Sequence, residues 1–223
     1  MPDLTESLGG YKLKQIAEVV KKVVSKGQFP FVLLANRIEH FEKCRINFRE
    51  TSASALPAYC ISHREHFHLA GEDEVVYLVP HHLIMVHRDC LRSPDNPAES
   101  PKFTAIQGRV CVAHELGHIM LHFPEFKKDF LKGRLPAGRV TPGGAIDYTN
   151  DEEIEATLFA GLLCLLHGIP QWRSLPTFDS IDDQLYSTFD SLFPDKSFKD
   201  DVRTAFQSLR DVVRADLPPY DQV

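Results

Sequence analysis

The sequence predicts an α+β protein in which a small mixed sheet packs on one central helix, with further helices around it. Three observations carry this reading. Between residues 45 and 87, apolar and polar residues alternate with a period of two, as in half-buried strands. From residue 103 to 121, and again from 150 to 167, apolar residues recur at three- and four-residue steps, as on buried helix faces. Inside the first helical stretch stands His114-Glu115-Leu116-Gly117-His118, an H-E-x-x-H pentapeptide.

The central helix is bounded by Ser100-Pro101, which reads as an N-cap followed by proline at the first helical position, and by Pro124, which reads as its stop. Phe103, Ile106, Val110, Ala113, Gly117 and Met120 form its buried stripe. The two histidines lie beside that stripe, at the wall of a cleft. Positions four apart sit one turn above each other, so His114 and His118 can offer two imidazoles to one metal ion. Glu115, one position along, can reach a water at that ion as general base without binding the metal. Gly117 admits close approach by another backbone or a ligand, at about 1 kcal/mol of helix propensity against alanine. His122 extends the motif, but three histidines on successive turns span about 12 Å and cannot meet one ion. It is expected to support a ligand or to cap the helix end.

A third ligand is expected from the second helical stretch. Asn150 reads as its cap, Glu153 stands at the capping-box position, and the apolar face runs through Leu158, Phe159, Leu162, Leu163 and Leu166. His114-Glu115-Leu116-Gly117-His118-Ile119-Met120-Leu121-His122, followed by Glu153-x-x-Ala156-x-x-Phe159-Ala160 with Leu162-Leu163 beyond, resembles the ImmA/IrrE zinc metallopeptidases over about residues 75–170. The resemblance implies a zincin-like fold, one Zn²⁺ per chain, and Glu153 rather than Glu152 or Glu155 as the third ligand. It also implies a protein or peptide substrate, often a specific regulator such as a repressor, held as an added strand on a sheet edge. Two positions depart from the family pattern. Thr157 stands where an Asn or Asp usually supports a ligand histidine, which predicts weaker metal binding or activity. Leu162-Leu163-Cys164-Leu165-Leu166 replaces the usual Leu-Leu-Met-Pro ending.

The chemistry expected of such a site is hydrolysis by zinc-activated water. His114, His118 and Glu153 leave a fourth position for water and lower its pKa toward about 7, and Glu115 moves the proton to the leaving amine. A donor for the oxyanion is also needed, and Tyr148 is the candidate. Two other readings use the same residues: non-peptidase chemistry on a small molecule, and a catalytically idle regulatory module with a structural zinc, for which Thr157 is the cue.

The rest of the chain frames this core. Residues 1–44 are expected to be packing helices, 45–170 the catalytic core, and 171–223 further helices packed on it as part of one domain. Helices are expected at 11–26 and from Pro30 through Phe41, then strands from Arg45 and at 58–62, 66–69, 75–79 and 83–87. The last of these is a candidate sheet edge. A loop follows at 89–99, a linker at 127–149, and helices at 181–192 and 198–213. Of the 11 histidines, His63, His66 and His68 are expected on a solvated strand face rather than at a second metal site, and His81, His82 and His87 in core or loop hydrogen bonds.

A formal net charge of −6 with no basic stripe argues against nucleic-acid binding. The chain opens without a basic-then-apolar leader, and its longest apolar run, 156–166, is too short to span a bilayer. Five cysteines without a CxxC pair argue against a disulfide framework, so a cytoplasmic location is expected.

Overall fold

The structure, a computed structural model, describes residues 13–23, 31–68, 76–91, 102–135, 139 and 146–167. The expected helices at 181–192 and 198–213, and all of 171–223, lie outside the described residues. Among the described residues the architecture is α+β: five α-helices and one three-stranded mixed sheet.

Helices α1 (Leu13–Val23) and α2 (Phe31–Glu42) turn Ile16, Val20, Leu34 and Ile38 into the same apolar core as the sheet and the central helix. Lys43, in the left-handed region at φ 49°, turns the chain out of α2. Strand β1 (Arg45–Thr51) follows.

The four strand runs expected between 58 and 87 are fused in pairs into two long strands, β2 (Ala58–His68) and β3 (Val76–His87). Alternation falters at Arg64 and Pro80, yet these two residues pair with each other and the sheet continues through them. Pro80 is tolerated because β1 pairs with β3 only from His81 onward. The order is β1-β3-β2, with β1 parallel and β2 antiparallel to β3. Residues 83–87 are therefore the centre of the sheet and not its edge. The edge strand on the side of the central helix is β2.

One face of the sheet carries Ile46, Ala58, Ile84 and Val86 into the core, with Phe48 and Cys60 packed against it. Helix α3 (Ala105–Leu121) lies on that face. It starts later than Ser100-Pro101 suggested because Thr104 makes a capping box: its hydroxyl accepts from the Gln107 amide and the Gln107 side chain accepts from the Thr104 amide. Pro124 does not stop the chain's helical course. After His122 a new helix, α4 (Phe123–Leu131), begins with Pro124 in its first turn, where the missing N–H breaks no bond. The first part of the expected linker is thus helical.

Helix α5 (Asn150–His167) packs along α3. They meet at Gly117, where a built Cβ would stand 3.0 Å from Phe159 Cδ1 and 3.1 Å from the Ala156 carbonyl oxygen. The close approach that Gly117 permits is that of the α5 backbone. Among the described residues no helix is long and apolar enough to cross a membrane, and all five cysteines are free.

Candidate metal centre

Because α3 and α5 touch at Gly117 and Ala156, side chains one turn away on each helix converge. His114 Nε2 lies 3.0 Å from His118 Nε2 and 3.0 Å from Glu153 Oε2, and His118 Nε2 lies 3.5 Å from Glu153 Oε1. Ligand atoms held roughly 2.0–2.1 Å from a tetrahedral zinc stand about 3.3 Å apart, so the triangle has the dimensions of three such positions. Among the described residues these three form the one His/Cys/Asp/Glu group able to hold a metal ion. His63, also considered for a second site, is exposed, and its ring lies tilted at 4.3 Å from that of His81.

The hydrogen bonds behind the triangle determine which ring nitrogens carry protons. The Thr157 hydroxyl donates to the Glu153 carbonyl at 2.8 Å, so its oxygen accepts from His114 Nδ1–H at 3.1 Å. That leaves His114 Nε2 facing Glu153 and His118. Thr157, where the resemblance leads one to look for an Asn or Asp, thus hydrogen-bonds His114. His118 Nδ1 lies 3.1 Å from His122 Nδ1, and the far nitrogen of His122 lies 2.9 Å from Glu155 Oε2. Both partners of that last contact are buried.

Glu153 is free to join the histidines because Glu152 takes the capping role instead. The cap is Thr149, not Asn150: the Glu152 carboxylate accepts from the Thr149 amide at 2.7 Å, and the Thr149 hydroxyl accepts from the Glu152 amide at 3.3 Å. Arg139 holds Glu152 by two further bonds. A shift of one residue in the cap turns Glu153 toward α3.

Electrostatics separate the carboxylates. Burial would raise the Glu153 carboxyl, but the adjoining imidazoles, His114 foremost, hold it well below the usual carboxylate range. Burial pushes Glu115 up to about 7, with His114 pulling down and Glu153 pushing up. The backbone amide of Cys60 also pulls it down. Burial likewise pushes His118 down to about 3, which keeps its ring neutral and able to ligate. At His114 burial works against the charge, yet the bond and charge of Glu153 hold it above the usual imidazole value.

Comparison with protein-family models, curated proteins and solved structures finds no match. The functional reading therefore rests on the residues themselves.

They line one cavity of about 230 Å³. His114, Glu115, His118, Glu153 and Tyr148 share its wall with Ala58, Cys60 and Ser62 of β2 and with the apolar Leu56, Ile119 and Ile146. The Tyr148 ring stacks on His118 at 3.7 Å, and burial with the neighbouring carboxylates keeps its hydroxyl protonated well above the usual phenol pKa. His82 and His87 are core groups: His82 Nδ1 pairs with Ser62 Oγ at 2.8 Å, and His87 Nδ1 accepts the Asp89 amide. Of the site's groups, sequence spacing missed the Cys60 amide on Glu115 and the Glu155 carboxylate behind His122. Backbone amides leave no trace in a motif, and Glu155 could be read as one more acid of the first turns of α5.

Proposed function

We propose that the chain is a zinc metallopeptidase, with the metal held by His114, His118 and Glu153 and with Glu115 as general base. The observation that carries this is the triangle itself. Two imidazole nitrogens and a carboxylate converge on one point, and a second carboxyl lines the same cavity without joining them. Two imidazoles and a carboxylate this close together in a buried place hold either shared protons or a metal cation between them. Zinc bound there supplies a Lewis acid that acidifies water and polarises a carbonyl.

The chain's own groups supply the rest. Glu115, with a pKa near neutrality, takes a proton from water on a carboxylate oxygen and returns it to the leaving amine. Tyr148, protonated across the working range, is the donor for charge that develops on the attacked carbonyl oxygen. The His87 amide donates to the Pro57 carbonyl, so by the alternation of an antiparallel pair the backbone groups of Ala58, Cys60 and Ser62 point away from β3 toward the cavity. An extended peptide adds there as a strand. The edge used is β2, not residues 83–87. The ImmA/IrrE resemblance of the two motifs points the same way and suggests a specific regulatory protein as substrate.

The modest volume of the cavity favours a second reading, zinc chemistry on a small molecule. Elemental analysis and a peptide-library digest test both. The wild type is expected to carry about one zinc per chain and to cleave peptides; Glu153→Ala loses the metal. Glu115→Gln keeps it and loses at least about 100-fold in turnover. A metal-free wild type, even after zinc is supplied, removes the hydrolase reading. A zinc-loaded wild type that cleaves no peptide favours the small-molecule reading.

A further inference from the structure

We infer that His122 and Glu155 form a buried relay that holds His118 in the one tautomer able to bind metal, so that His122 is a positioning residue of the centre although it touches no metal. The inference rests on the metal-centre reading above.

The geometry is a chain of three side chains from two helices. His122, at the junction of α3 and α4, stands one turn beyond His118, with the two Nδ1 atoms 3.1 Å apart. Its Nε2 meets Glu155 Oε2 of α5 at 2.9 Å. His122 is fully buried and Glu155 is 4% exposed, so water does not compete for either contact. With Glu155 ionised its oxygens only accept, so His122 Nε2–H donates to it. In neutral His122 the proton on Nε2 leaves Nδ1 as an acceptor. His118 must then donate its own Nδ1–H, and its Nε2 lone pair faces His114 and Glu153. The rings of His118 and His122 are further held on one side by Tyr148, whose centroid lies 3.7 Å and 5.8 Å from theirs.

The two ligand histidines are thus fixed by different devices. His114 leans on the Thr157 hydroxyl, and His118 on an imidazole backed by a buried carboxylate. Removing the relay frees His118 to carry its proton on Nε2, where it blocks the metal.

The test measures zinc affinity by competition with a chromophoric chelator for wild type, His122→Phe, Glu155→Gln and His114→Ala. Thermal midpoints of the metal-free proteins and the visible spectra of their cobalt forms are recorded beside it. His122→Phe keeps the ring volume and is expected to lose about 10- to 100-fold in affinity, with an altered cobalt spectrum and a metal-free midpoint near wild type. Glu155→Gln retains an acceptor oxygen and is expected to lose less. Wild-type affinity and spectrum in His122→Phe overturn the relay while leaving the metal centre standing. No zinc binding by the wild type, or no loss in His114→Ala, overturns the metal centre and the relay with it. Should His122→Phe fail to fold, long-range ¹H–¹⁵N spectra of the zinc-loaded wild type decide. A proton on His118 Nδ1 is expected, and one on Nε2 overturns the proposal.

Discussion

Thr157 stands where the ImmA/IrrE pattern that the motifs resemble has an amide or carboxylate, and its hydroxyl meets a histidine of the triangle. Its hydroxyl is polarised toward His114 because its own proton is committed to the Glu153 carbonyl one turn back. Thr157→Val keeps the shape and removes the acceptor, leaving His114 Nδ1–H without it. A fall of about 10-fold in zinc affinity is expected by chelator competition, with little change in the secondary structure seen by circular dichroism. Unchanged affinity would remove Thr157 from the centre. Glu115 shows the same dependence on a partner outside the motif. The pentapeptide places it next to His114, but its readiness to exchange a proton near neutrality comes from burial and is moderated by an amide of β2.

At the scale of elements the centre is a property of the α3–α5 crossing. Gly117 lets the backbones approach so closely that a methyl group there would sit 3.0–3.2 Å from Phe159 and the Ala156 backbone. Alanine gains about 1 kcal/mol of helix propensity, but two of its three close contacts are with backbone that moves only if α5 moves. Overpacking of this kind costs about 1–3 kcal/mol, so Gly117→Ala is expected to lower the thermal midpoint by several degrees. It is also expected to weaken zinc binding by carrying Glu153 away from His114. A variant more stable than wild type with full affinity would disprove the close crossing. The cap of α5 belongs to the same scale. Asn150 and Thr149 are both good cap residues, and Glu152 and Glu153 both complete a box from one of them, so local chemistry left the frame open by one residue. Arg139, bonded to Glu152, decides it from a separate stretch of chain.

For the whole molecule, acid lability follows from histidines buried without charge away from the site. His82 is 1% exposed, its ring edge-on to Phe123 at 4.5 Å, and its Nε2 is buried with no hydrogen-bond partner among the described residues. Burial, with His81 and Lys127 nearby, pushes its pKa from 6.5 down to about 3. The unfolded chain therefore binds a proton that the folded chain refuses. Stability is whole above about pH 6.5 and falls as pH drops toward 3, by about 1.4 kcal/mol per unit from this group. Chemical denaturation at several pH values between 4 and 6 should show that slope reduced by about this amount in His82→Leu. An equal slope in both proteins would mean that His82 titrates normally in the folded state.

Much of the architecture was legible because it is written within single turns and single strands. The period of two over 45–87 and the three- and four-residue steps of the helices are short-range patterns, and they name the elements correctly. Where they erred, a local signal had two meanings. Proline at 124 reads as a stop but equally opens a helix, and Pro80 interrupts alternation without interrupting a strand that has only one neighbour at that point. The i, i+4 histidine pair with its adjacent glutamate, the apolar helices on which the candidate ligands stand and the α+β class came from the sequence alone, since each depends on neighbours a few residues apart. Tertiary structure alone decided that β3 lies between β1 and β2, that β2 faces the cavity, that Thr149 caps α5 so that Glu153 meets the histidines, and that Glu155 closes a chain through His122. Each of these depends on which surfaces two distant segments bury against each other, and packing between them is a property that neither segment carries by itself.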